Sequence, residues 1–162
     1  MELQEQQLAP DFTLPAVGDD DTVLIEQVHL AELRGQIVVL SFYPKDDVTN
    51  SIALACNFRD AYQKFVQRGV RVFGISNETL ATHKKFAVKY HLPFQLLSDA
   101  DASVSQLYGV YTEKSLFGKK YKGIHRSTFL IDREGRVRKI WRSIKPEEHA
   151  REVLAAVDTL SH

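Results

Sequence analysis

Cysteine is almost absent. Cys56 is the only one, so no disulfide closes within the chain, and a fold stapled by bridges or by a thiolate-rich metal centre is excluded. An excess of either charge is missing too. Lys and Arg number 21, and Asp and Glu also number 21, so there is no electrostatic case for nucleic acid or an anionic membrane as partner. The one basic run, GKKYKG at Gly118–Gly123, is bounded by glycines and reads as a solvated hairpin tip. No apolar stretch has the length of a membrane span, and the longest, Ile37–Tyr43, is strand-sized. The N-terminal MELQEQQLAPDF lacks the basic and hydrophobic segments of a secretory signal. One thiol and no signal suit a reducing compartment, so a cytoplasmic setting is the default expectation. Repeats, low-complexity tracts and a dividing linker are also missing. The 162 residues fit one domain, 1–162, large enough to bury a core. The six histidines show no metal-ligand spacing, and neither a metal nor another cofactor is expected.

What is present is an alternation of strand and helix signals. Gln36–Pro44, QIVVLSFYP, is a nearly unbroken β-branched and aromatic run, as in a central strand covered on both faces, and Pro44 ends it for want of an N–H. A helix is predicted from about Ser51 to Arg68, with Leu54, Phe58, Ala61, Tyr62 and Phe65 on its buried face, Thr49 or Asn50 as N-cap, and Gly69 as stop. VRVFGIS (Val70–Ser76) reads as a second buried strand. Further along, a helix over Glu78–Tyr90 carries Leu80, Phe86 and Val88 inward. A short strand in PFQLLSD and a short helix at Ser103–Tyr108 follow. Ser127–Ser143 reads as a hairpin turning at DREG, and a last helix runs from near Pro146 to Leu160. This order gives an α/β domain, a mixed central sheet with helices on both faces, and a thioredoxin-like arrangement is one of the few that closes with it.

Six segments then resemble, in order, a known family: APDFTLP, VVLSFYPKDD, ACNFRDAY, HKKFAVKYHLPFQLLSD, YGVYTEKSLFGKKYKGIHRSTFLID and GRVRKIW. They are similar to those of peroxiredoxins, in the peroxiredoxin Q or bacterioferritin comigratory protein subgroup, from about Ala9 to Leu160. The resemblance implies a thioredoxin-like fold, usually monomeric and without a cofactor. It implies reduction of hydrogen peroxide and organic hydroperoxides by a peroxidatic cysteine that a thioredoxin-like partner recharges. In the family that cysteine closes a pattern of proline, three residues, threonine, two residues, cysteine. A resolving cysteine often follows five residues later, and a distant arginine completes the pocket. Carried over, the proline is Pro44, the threonine position is Val48, the peroxidatic position is Ser51, the resolving position is Cys56 and the arginine is Arg126. Pro44, Cys56 and Arg126 match the pattern; Val48 and Ser51 depart from it.

The chemistry explains why those residue types are wanted. The nucleophile is a thiolate, so its pKa must fall below ambient pH. A first-turn helix position supplies free N–H groups and the positive end of the dipole, and Arg126 would add a fixed charge. A hydroxyl at Ser51 titrates far above a thiol and has no counterpart of the sulfenic acid stage. Val48 removes a donor from the loop. Turnover at Ser51 is therefore excluded.

Cys56 is a poor substitute. Five residues along a helix rise about 7.5 Å, past the ~7 Å reach of a disulfide, and the dipole has faded by the second turn. It reads as a small half-buried helix residue with an ordinary thiol. Asp46 and Asp47 look like paired carboxylates but more often cap a loop, and His125 reads as a structural strand residue. A Ser51–His125–Asp132 hydrolase triad has no nucleophile elbow to support it. Two accounts of the function stand. One is a peroxiredoxin Q-type peroxidase with serine substituted at its peroxidatic position, inactive or severely impaired. The other is a naturally degenerate relative with a binding or regulatory role, favoured by the further departures at Val48, Thr49, Asn50, Ile52 and Leu54.

Overall fold

The computed structural model describes residues 3–19 and 26–160. Its centre is a seven-stranded sheet. The strands are β1 (Thr13–Val17), β2 (Glu26–His29), β3 (Ile37–Phe42), β4 (Val70–Ser76), β5 (Gln95–Ser98), β8 (Ser127–Ile131) and β9 (Val137–Trp141). They lie in the order β2-β1-β5-β4-β3-β8-β9. β3 runs parallel to β4, and β4 to β5, whereas β1 and β8 join this parallel core antiparallel. A separate hairpin pairs β6 (Tyr111–Leu116) with β7 (Lys119–Ile124). The helices are α1 (Thr49–Asp60), α2 (Tyr62–Gln67), α3 (Leu80–Tyr90), α4 (Ser103–Leu107) and α5 (His149–Thr159).

The unbroken apolar run of β3 is explained by two cores rather than one. Val38, Leu40 and Phe42 face a cluster with Phe73, Ile75, Tyr108 and Phe129. Ile37 and Val39 face a second, built with Leu54, Phe58, Phe65, Phe86 and Val153 from α1, α2, α3 and α5. The first cluster is closed by α4 and the N-terminal segment through Val104, Leu3 and Phe12. With both faces covered, a strand has no polar side to show.

Ser41 and Gly74 pair across β3 and β4 at the end of the sheet where the chain leaves for α1. A side chain at Gly74 would meet Leu96 at 2.8 Å and the Tyr43 ring at 3.1 Å, so glycine is what lets Tyr43 fold over the strand ends. Tyr43 still donates its N–H to Ile75 O (3.0 Å); Pro44 cannot continue the ladder.

Several predicted boundaries move. The single helix expected over 51–68 starts at Thr49 and divides at Ala61, whose ψ of 2° interrupts the helix and sets Phe65 ring to ring with Phe58 at 5.6 Å. Its N-cap is Val48, without a side-chain cap, because the preceding loop fixes the entry and leaves Thr49 and Asn50 inside the helix. Val88 faces solvent at 43% exposure, while His83 takes the buried position. GKKYKG is mostly β7 rather than a tip. The hairpin turns earlier, at Phe117 and Gly118, both with positive φ, as tight hairpin turns demand. α5 begins at His149 rather than near Pro146, and its first turn is capped across space by α1. Asn57 Oδ1 accepts from Ala150 N (2.7 Å), and Asn57 Nδ2 donates to Glu147 O (3.0 Å). DREG turns as expected, with Gly135 at φ 85° and Asp132 Oδ1 accepting from the N–H groups of Glu134 and Arg136.

His149 is fully buried against the rings of Phe58 and Trp141. Its Nε2 meets Thr128 Oγ1 at 2.8 Å. Burial pulls its pKa down to about 4. Between that value and about 6.5 the unfolded chain binds a proton that the folded chain refuses, so stability is complete above pH 6.5 and is lost as pH falls toward 4. We expect a loss of about 3 kcal/mol across that window in urea unfolding of the native chain, and a flatter profile in His149→Gln.

Candidate active site

α1 presents Ser51 in its first turn, only 3% exposed. Arg126 lies in the two-residue link between β7 and β8, and its Nη2 donates to Ser51 Oγ at 3.2 Å. Residues 75 apart in sequence thus meet because β8 pairs with β3, the strand that leads into α1. The guanidinium is otherwise poorly partnered. Nη1 is shut off from solvent with no acceptor, and among the described residues no carboxylate pairs with Arg126. Burial lowers its pKa from the ordinary arginine value. The helix start carries no capping side chain, so its first N–H groups add to the positive field. Beside Ser51 and Arg126 lies a cavity of about 20 Å³, room for one water. Ser41, Tyr43 and Gly74 line it on the sheet side and Leu54, Phe58 and Phe86 on the helix side.

The other sequence candidates are placed differently. Pro44 and Val48 line an adjoining open groove, and Val48 is 41% exposed. Cys56 is half-buried in the same uninterrupted helix as Ser51. The supposed triad does not assemble. His125 Nε2 bonds Arg142 O at 2.7 Å, Asp132 caps the β8–β9 turn and meets Arg138 at 3.3 Å, and Ser51 answers to Arg126. No group of three or more His, Cys, Asp or Glu that could hold a metal occurs among the described residues. No helix there is long and apolar enough to cross a membrane.

Asp46 is not the loop cap that was expected. It is buried, and its two oxygens accept from Tyr43 OH (2.6 Å) and meet His83 Nδ1 (2.7 Å). His83 Nε2 faces Leu97 O at 3.1 Å. The two ring nitrogens therefore each face an oxygen, one of the Asp46 carboxyl group and one of the Leu97 backbone. Tyr43, raised well above the usual phenol range by burial and then by Asp46, stays a neutral donor. Asp47 makes a second tie. With a positive φ of 49°, it reaches Lys89 Nζ at 2.9 Å and Tyr90 OH at 2.9 Å, and those donors lower its pKa. The loop between β3 and α1 is thus fastened to α3 twice, once inside and once at the surface. The available signal was a histidine at the apolar position of α3, one turn before Phe86 and Ala87.

Residues 6–140 match the model of the AhpC/TSA family. A Coxiella burnetii bcp protein is 46% identical over 154 residues, covering 95% of this chain and 98% of its own. The peroxiredoxin Bcp of Bacillus subtilis is 39% identical, covering 99% of both chains. Among solved structures, the Xanthomonas campestris bacterioferritin comigratory protein superposes with a TM-score of 0.83 at 33% identity, over 91% of this chain and 90% of that one. A Xylella fastidiosa peroxiredoxin Q with one cysteine mutated to serine gives 0.83 at 29%, over 96% and 97%. The fold is thioredoxin-like.

Removing one member of the buried pair strands the other. His83→Ala or Asp46→Ala should each cost about 3–5 kcal/mol in denaturant unfolding. Replacing both by apolar residues of similar volume should cost clearly less than the sum, and additive losses would show that the pair does not act as a unit.

Proposed function

The chain belongs to the AhpC/TSA family, among its Bcp and peroxiredoxin Q thiol peroxidases, and from that premise we propose that Ser51 occupies the position of the attacking thiol. The chain as it stands is then inactive or severely impaired. The observation that carries this reading is the hydrogen bond from Arg126 Nη2 to Ser51 Oγ. In the proposed reaction a thiolate attacks one peroxide oxygen, an S–O bond forms as the O–O bond breaks, and the leaving oxygen takes a proton to become water or an alcohol. The first-turn N–H groups and Arg126 would stabilise the thiolate and the charge developing on the leaving oxygen. A serine hydroxyl stays protonated in the same field and cannot store the oxidised state.

The remaining assignments follow on the same terms. Pro44 is the proline of the loop, Val48 the position of the missing threonine donor, and Cys56 the resolving position. A disulfide from Cys56 to residue 51 would require α1 to unwind, since ~7.5 Å of helix rise separates them. A thioredoxin-like reductant, a monomeric state and a cytoplasmic setting complete the proposal. The second reading, a non-enzymatic binding or regulatory protein, is favoured by Val48, which leaves the N-cap of α1 without a polar side chain.

Peroxide consumption with a thiol reductant separates these readings. The chain as given should be silent, Ser51→Cys should turn over, and adding Arg126→Gln to that variant should slow it about 10²–10³-fold. Silence of every variant would overturn the peroxidase reading in favour of the second. Activity of the unaltered chain that is lost in Cys56→Ser would show Cys56 to be the nucleophile.

A further inference from the structure

The β6–β7 hairpin stands outside the seven-stranded sheet. Its base is rooted in the protein, with Ile124 buried in the core and His125 N donating to Val110 O at 2.7 Å. Pairing runs without a break from Tyr111 and Ile124 to Leu116 and Lys119, so Phe117 and Gly118 alone make the turn. Both have positive φ, 51° and 78°, the geometry of the two-residue turn that suits Asn-Gly. A bulky side chain in the left-handed region is an outlier, disfavoured by the clash of its Cβ with the backbone. Phe117 is also 96% exposed, so no burial offsets that strain. Asparagine would serve the fold better, and an outlier that the fold does not need points to function.

Phe117 does not stand alone. Leu116 and Tyr121 beside it are 56% and 47% exposed, which makes the tip apolar. Behind the tip comes charge. Between Tyr111 and Ile124 the chain carries Lys114, Lys119, Lys120 and Lys122 against one carboxylate, Glu113, which lies 3.6 Å from Lys120. The chain as a whole is neutral, and that balance hides the local excess from a composition count. The register distributes the lysines over both faces. Lys114 and Lys119 share one with Leu116 and Tyr121, and Lys120 and Lys122 share the other with Glu113 and Ser115. A partner with a groove or a single strand would meet one face only. A planar anionic surface approached tip-first meets both, with the apolar tip in front and the lysines as a collar behind it.

We propose that the β6–β7 hairpin docks the protein on an anionic phospholipid surface, with Phe117 and Leu116 entering the interface and the lysines resting on the head groups. Aromatic side chains settle at that level of a bilayer, and basic ones are drawn to its negative face. Entry is shallow, because the N–H and C=O groups of the turn must keep to a hydrated depth. The inference stands apart from the reading of Ser51, which lies on α1 and not on the hairpin.

Sedimentation of the full chain with vesicles tests it, comparing phosphatidylcholine alone with phosphatidylcholine containing about one-third phosphatidylserine. Binding is expected only to the anionic vesicles and should weaken as salt rises. Lys119→Gln and Lys122→Gln should each lower the partition coefficient about fivefold, and Phe117→Asn about tenfold or more. Because asparagine suits the turn, Phe117→Asn should melt at the temperature of the native chain or above it. Equal binding to neutral vesicles, an unchanged partition in Phe117→Asn, or a lower melting temperature in that variant would overturn the proposal. Capture by a single-stranded oligonucleotide in place of the anionic vesicles would overturn it too.

Discussion

A carboxylate and an imidazole closed off from water hold the loop between β3 and α1. Asp46 and His83 are both buried, 2.7 Å apart, and neither tolerates the loss of the other. Their pairing pulls the loop down onto α3 and β5, turns Tyr43 across Gly74, and sets where α1 begins. The position of Ser51 under Arg126 follows from that, as does the wall that Pro44 and Val48 offer to the groove. A loop left to its own turn chemistry would free the first turn of α1 to find a side-chain cap of its own. Here the helix enters uncapped, with its N–H groups turned to the site.

The site assembled in this way is built for a negative charge and contains none of its own. A guanidinium with one nitrogen orphaned, a helix N-terminus and a cavity of water size surround a neutral hydroxyl. In a family of thiol peroxidases, that arrangement is the expected surrounding of a thiolate. On the proposed reading, serine at position 51 stands where the nucleophile would be and leaves its electrostatic frame standing. Buried cations without counter-charges are costly, and Arg126 Nη1 has no acceptor there.

The central strands were legible because strands buried on both faces are written as apolar runs, and β3 and β4 have no other reading. β1 and β6 were not: TLPAV contains a proline, and the YTEKSL strand buries little, so neither carries a period-two signal strong enough to see. The division of α1 from α2 at Ala61 depends on the packing of Phe58 on Phe65, a contact that periodicity alone does not register. The resemblance picked out Ser51 and Arg126, and the structure brings them together, yet it has Pro44 and Val48 facing a different space. The Asp46–His83 tie went unread because a histidine at an apolar helix position signals burial but does not name its partner, which lies 37 residues away in sequence. Position-by-position matching named Ser51 and Arg126, while the interaction that holds the loop before α1 became visible only in three dimensions.

The unpartnered Arg126 nitrogen and the uncapped start of α1 preorganise the pocket at position 51 for an anion. Its most direct measure is the thiolate absorbance of a Ser51→Cys, Cys56→Ser protein followed across pH, so that the only thiol reports on that pocket. A thiol pKa at least about two units below the ordinary value of ~8.5 is expected, rising when Arg126→Gln is added. A pKa at or above the ordinary value would contradict it.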